Sequence, residues 1–320
     1  MTPELASQDD ESEGRVRALA EDQEDQRQLI EELREELADR EKDLAYFRLQ
    51  LSQANLRLEG LIDQLQQELR VAQALQKALV PTELPHIPGF ELSSKFVPSL
   101  ISGGDYFDVF EHENKFRFGV LMASSSGHSM SALFLSVLLK LTGRLEARQG
   151  AQPDKVLSQM IQELSPGLSD SSRADVFYGV VDRRSYELNY CRVGEGASLL
   201  QWSANGDIEV LQPCAGPIEP GFKDPLSSQS LSLNPRDRLV LCTRGILQAK
   251  NPDGEDFGLE RLLKALREVG PAGSANGGVH DLRNNILYSV QKFSAGQELV
   301  RDMTVLVLEV KDRVIKLAKS

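Results

Sequence analysis

A chain of 320 residues, 41% hydrophobic and 26% charged, is long enough for one large globular domain or two smaller ones. The net charge of −12 argues against nucleic acid, which wants a concentrated basic face, and no apolar run approaches the roughly 18 residues of a membrane span. The first residues lack the basic and apolar regions of a secretory leader. Three cysteines, Cys191, Cys214 and Cys242, with no CxxC and no even pairing pattern, suit a reducing compartment. The expectation is a cytoplasmic protein with neither a membrane nor a nucleic-acid partner.

Residues 1–80 hold 19 acidic and 10 basic side chains, so −9 of the −12 belongs to the front of the chain. Residues 1–15 read as a disordered acidic N-terminus. Residues 16–80 read as a coiled coil. From Glu4 to Val80 there is no proline, and the Leu, Glu, Gln and Arg-rich composition favours helix. Apolar residues recur at alternating steps of three and four, through Val16, Leu19, Ile30, Leu33, Leu37, Leu44, Phe47, Leu51, Ala54, Leu58, Leu61, Leu65, Ala72, Leu75 and Leu79. The same seam takes in Gln23, Gln26, Arg40 and Glu68, polar insertions that weaken a coil while setting its register. A 3.5-residue period held over about nine heptads predicts a left-handed supercoil roughly 95 Å long. A second copy of the chain is its natural partner, giving a parallel homodimer.

Three prolines, Pro81, Pro85 and Pro88, end the helix and start the globular part. Strands are predicted at 90–98, 115–124, 175–181, 186–193, 197–202, 208–211, 231–233, 238–242 and 304–309. Helices are predicted at 130–147, 155–164, 259–269 and 279–293. Many short strands with a few long helices point to α+β, with helices flanking antiparallel sheets. The globular domain is expected over 81–312, with 313–320 as a tail. Trp202, Tyr106, Phe107 and Phe110 read as core.

Six short motifs then follow in one order: LxPxxLPxIPGxE at 79–91, GGDxxD at 103–108, SGHS at 126–129, LVLxTxG at 239–245, NPDGEDFG at 251–258 and DMTVLVL at 302–308. In this the chain resembles the metal-dependent PPM-type serine/threonine phosphatases of the SpoIIE and RsbU branch, over essentially residues 74–310. The resemblance implies two central antiparallel sheets flanked by helices, with two magnesium or manganese ions in the cleft at their ends. Those ions, held by carboxylates, activate a water that attacks a phosphoserine or phosphothreonine.

The ligand positions implied by the resemblance carry other residues. Asp105, the first bridging carboxylate, is present. The aspartate of the DxSGHG motif is replaced by Ser124, followed by Ser125 and Ser126; that of the TDG motif by Arg244; and the first of the final acidic pair by Arg301. Glu195 stands where the family shows a histidine, and His128 reads as a residue at the start of a helix. A guanidinium about 4 Å from a divalent ion costs roughly 8 kcal/mol at an effective dielectric of about 20. The usual metal pair is therefore not expected, and Asp105 is the one ligand that would hold an ion.

The leading expectation is a catalytically impaired phosphatase-fold regulator, acting by binding a signalling phosphoprotein in a partner-switching pathway. Two alternatives stand beside it. An active phosphatase would use magnesium or manganese through Asp105 with Asp108 and Asp302, and would act on an anti-sigma-factor antagonist. A phospho-group sensor would hold an anion with Ser124, Ser125, Ser126, Arg244 and Arg301. Arg244 and Arg301 are expected to converge on Asp105 in either metal-free reading.

Overall fold

The computed structural model describes residues 4–99, 104–126, 151–164, 173–270 and 277–311. Helix α1 (Glu4–Leu79) is unbroken, so the stretch 1–15, expected to be disordered, is helical from Glu4 onward. The same lack of proline and abundance of helix-forming residues that hold the later heptads explain the earlier start. Residues 1–67 form one compact unit and residues 68–320 another. Along α1, Leu44, Phe47, Leu51, Leu58, Leu61 and Leu65 leave half or more of their surface in solvent within the single chain. Among the described residues no helix is long and apolar enough to cross a membrane.

The second unit is a pair of five-stranded antiparallel sheets. One has the order β1 (Phe90–Val97), β10 (Met303–Val310), β9 (Arg238–Thr243), β6 (Ala197–Trp202) and β7 (Ile208–Leu211). The other has the order β2 (Asp105–Glu111), β3 (Arg117–Ser126), β4 (Arg173–Asp182), β5 (Glu187–Val193) and β8 (Gln229–Ser232). Helices α2 (Pro153–Leu164), α3 (Arg244–Leu247), α4 (Gly258–Val269) and α5 (Val279–Ser294) complete the described elements. The α+β architecture is the expected one. The predicted helix 130–147, His128 and the tail 313–320 lie outside the described residues.

Successive side chains of a strand point to opposite faces, and this period of two divides the apolar residues into three layers. Phe107, Val109, Phe118, Val120, Met122, Phe177, Leu239, Leu241, Leu306 and Leu308 meet between the sheets. Tyr106, Phe110, Leu121, Tyr178 and Cys191 pack outside the second sheet against Val156, Leu157 and Met160 of α2. Trp202, Val240, Val305 and Val307 pack outside the first sheet against Leu262 and Leu266 of α4 and Leu282, Ile286 and Val290 of α5. Trp202, Tyr106, Phe107 and Phe110 are core residues, as expected.

The strand β2 is absent from the sequence expectation. Its sequence, DYFDVFE, places two aspartates among the apolar residues and so breaks the simple alternation, yet its first six residues are all buried. A strand paired along its length with β3 and covered on both faces can hold aspartates only where each finds donors. The strand expected at 231–233 is also displaced, to Gln229–Ser232, because its pairing with β5 runs from Tyr190↔Gln229 to Glu187↔Ser232.

Candidate functional site

The inward parity of five strands brings a polar cluster to one end of the inter-sheet core. Asp105 precedes Phe107 and Val109 on β2, and Ser124 follows Met122 on β3, directly across from Asp105 in the register. Thr243 follows Leu241 on β9, Thr304 precedes Leu306 on β10, and Asp175 precedes Phe177 on β4. Each continues an apolar row of the core and each is at least 95% buried.

Asp105 is held by hydroxyls. Ser124 Oγ donates to its Oδ1 (2.8 Å), and Thr304 Oγ1 (2.9 Å) and Thr243 Oγ1 both donate to its Oδ2. Thr243 Oγ1 in turn accepts from the Thr304 amide at 2.8 Å, which ties β9 and β10 into the cluster. Burial, and after it the nearby Asp302 carboxylate, push the Asp105 pKa up to about 8 against the opposing pull of the three hydroxyls. Asp302, 1% exposed, accepts backbone N–H groups of Ser99 (2.7 Å), Gly104 (2.9 Å) and Asp105 (3.3 Å). It serves the backbone around the start of β2.

Arg244 is directed elsewhere than expected. Its Nη2 donates to Asp175 Oδ2 at 2.5 Å, so the arginine at the aspartate position of the TDG motif pairs with Asp175 and not with Asp105. The loop Gly194-Glu195-Gly196 closes around the same carboxylate. A Cβ on Gly194, whose φ is +70°, would lie 1.9 Å from Asp175 Oδ1, and one on Gly196 would lie 2.2 Å from Oδ2. Only glycine allows that approach. Arg192, 4% exposed, lies on the adjacent strand and donates to the carbonyls of Leu211 and Glu195. Burial raises the Asp175 pKa, while Arg244, the Gly196 amide and Arg192 oppose the rise. The Glu195 side chain is exposed.

Arg301 is half-buried, and its guanidinium pKa is lowered by burial and then by Arg244, with Asp105 and Asp175 acting in the other direction. Arg244 and Arg301 are therefore electrostatic neighbours. Their closeness follows from Gly245, which packs so tightly under the carbonyl of Asp302 that a Cβ would sit 1.9 Å from that oxygen.

Two expected groupings are split by the strand period. Asp108 lies on the face of Tyr106 and Phe110, accepts from the Tyr106 hydroxyl (3.2 Å), and is thus on the opposite side of the sheet from Asp105. It cannot share an ion with Asp105. Ser124 and Ser125 likewise point to opposite faces of β3; Ser124 serves Asp105, and the buried Ser125 Oγ has no partner among the described residues. Ser124 and Ser125 therefore do not share one cradle, and the side chain of Ser126 lies outside the described residues. Asp175 is the site residue that sequence reasoning missed. A single aspartate in a strand is a weak signal without its arginine, 69 positions away.

The fold and this geometry set the comparison with known proteins. The family described as Stage II sporulation protein E (SpoIIE) matches residues 114–311. The chain belongs to the SpoIIE family. Among relatives of the SpoIIE-family chain, it is 22% identical over 225 residues to protein IcfG of Synechocystis, covering 62% of this chain and 35% of IcfG. It is 22% identical over 258 residues to the phosphoserine phosphatase RsbU of Bacillus subtilis, covering 79% of this chain and 73% of RsbU. In fold it is similar to the SiaA-PP2C domain of Pseudomonas aeruginosa, with a TM-score of 0.62, 18% identity, and coverage of 77% of this chain and 97% of that domain. The chain thus spans about a third of the length of IcfG.

SpoIIE-family phosphatases are metal dependent, and the residues here do not fit the two hard cations. Such ions need several oxygen ligands with at least some carboxylates free to coordinate. Both oxygens of Asp105 are engaged by hydroxyls, Asp302 caps backbone amides, Asp108 faces away, and a guanidinium holds Asp175. Among the described residues no group of three or more His, Cys, Asp or Glu side chains is arranged to hold a metal.

Proposed function

We propose that this SpoIIE-family domain is a phosphatase-fold signalling regulator that binds a protein partner and does not hydrolyse phosphate esters through metals. The observation that carries the reading is the closed hydroxyl shell on Asp105 beside the Arg244–Asp175 pair. Phosphoester hydrolysis on this fold relies on ions to generate the attacking hydroxide and to offset charge on the phosphoryl group. Here the positions that would hold them carry neutral hydroxyls and fixed cations. The kinship with RsbU supports a phosphorylated signalling protein of a partner-switching pathway as the binding partner.

Dimerisation through α1 belongs to the same reading. The seam is apolar over most of its length, and half-exposed leucines of this number need a second apolar surface. In a parallel pair, Asp22 faces Arg27 and Asp43 faces Arg48 across the g and e′ positions, while Glu36 opposite Glu41 is the one like-charged match.

The test is calorimetry with manganese and with magnesium on the full chain, beside hydrolysis of an aryl phosphate and a phosphoserine peptide. No binding isotherm and no chelator-sensitive turnover are expected. Turnover that depends on manganese and vanishes with chelator would favour the active phosphatase instead.

A further inference from the structure

Cys191 sits in the middle of β5, and Cys214 lies 23 residues later in the segment after β7, yet their Sγ atoms are 3.4 Å apart. Both thiols are free. The backbone holds them there from both sides of Cys214. Its own amide donates to Arg192 O (2.8 Å), the Gly194 amide donates to Ala215 O (3.0 Å), and Val193 and Ala215 form a parallel bridge. A disulfide of about 2.05 Å requires the sulfurs to close by only about 1.4 Å, a side-chain adjustment.

The two thiols differ in access. Cys191 is fully buried among Val156, Met160 and Tyr178, and burial raises its pKa, so it stays protonated. Cys214 is partly exposed and lines a cavity of about 540 Å³ together with Asp175, Gly194, Pro213 and Arg244. A small oxidant can reach Cys214 from that cavity, and Cys191 waits behind it.

We propose that Cys191 and Cys214 are a reversible oxidation site, converted to an intramolecular disulfide by a hydroperoxide. The thiolate of Cys214 attacks one peroxide oxygen; an S–O bond forms, the O–O bond breaks, and the departing hydroxide takes up the thiol proton as water. The Sγ of Cys191 then attacks the sulfenic sulfur. The S–S bond forms, the S–O bond breaks, and the Cys191 proton leaves with the hydroxide as a second water. Two thiols give two electrons to one peroxide. The product pins the Pro213–Pro217 wall of the cavity to β5, next to the Arg244–Asp175 pair, and closes the stretch that contains β6 and β7 into a covalent loop.

The experiment treats the full chain with hydrogen peroxide, then alkylates it under denaturing conditions and maps the peptides by mass spectrometry. The expected result is loss of two of the three alkylatable thiols, a linked peptide containing Cys191 and Cys214, and full return with dithiothreitol. Cys242, which is buried without a cysteine neighbour, should remain alkylatable throughout and serves as the internal control. Cys191→Ser should leave Cys214 as a sulfenic acid that dimedone traps, and Cys214→Ser should leave Cys191 reduced at the same dose. Three intact thiols at peroxide doses that oxidise glutathione would overturn the proposal. So would Cys214 advancing to the sulfinic acid while Cys191 stays free, or a disulfide between chains.

Discussion

Replacing Arg244 by alanine removes the charged donor to a carboxylate that is almost wholly withdrawn from solvent. The Asp175 side chain is 1% exposed and that of Arg244 20% exposed, and Asp175 Oδ1 has no hydrogen-bond partner among the described residues. Breaking a buried pair by removing one member typically costs about 3–5 kcal/mol, most of it the penalty of the stranded charge. The partial exposure of the arginine lowers this to about 2–4 kcal/mol. For a domain of this size each kcal/mol moves Tm by roughly 2–4 °C, so a fall of about 4–16 °C is expected. Asp175→Ala should cost a similar amount, and the double variant little more than either single one, a coupling of about 2–3 kcal/mol. The loss in Arg244→Ala should also shrink as pH falls. Without the guanidinium the Asp175 pKa rises further, the folded state binds the proton more tightly than the unfolded one, and stability is lost as pH climbs through the window above the unfolded value. Urea titrations of the four proteins at pH 5 and pH 7.5 read both effects. Additivity within about 0.5 kcal/mol at pH 7.5 would refute the pairing and with it the role assigned to Arg244.

Asp105, with its pKa pushed up to about 8, is protonated in the folded state and ionised in the unfolded state through the neutral range. Stability should therefore fall by about 2 kcal/mol between pH 6 and pH 8, and Asp105→Asn should flatten that slope, as denaturant titrations across this range can check. His112 works in the opposite sense, because burial and then Arg117 lower its pKa to about 4. Stability contributed by the neutral ring should be lost as pH falls from about 6.5 toward 4, by about 2–3 kcal/mol, and His112→Gln should remove that acid-side loss in the same assay. Gly245→Ala should be among the most damaging single substitutions, costing about 4 kcal/mol or more, since its methyl would meet the Asp302 backbone carbonyl; thermal unfolding gives the answer. Light scattering should find the full chain at twice the monomer mass, and Leu44→Asp with Leu58→Asp should return it to a monomer of unchanged near-ultraviolet circular dichroism.

Local pattern carried most of the fold. The heptads of α1, the prolines at 81, 85 and 88, the alternating run of β1 and the short apolar runs of β6 and β10 are each written within a few neighbouring residues, so they can be read directly. The motif order also located Asp105, Ser124, Arg244 and Arg301. The partners of those residues had to come from the tertiary structure. Strand parity sent Asp108 and Ser125 to the outer face while Asp105 and Ser124 stayed inside, and β2, with its two aspartates, hid that parity from the sequence. Asp175 meets Arg244 across 69 positions, and Cys191 meets Cys214 across a segment that contains two strands. Such contacts arise where sheets and loops close on one another, and their energy depends on burial and donor geometry that no local spacing records.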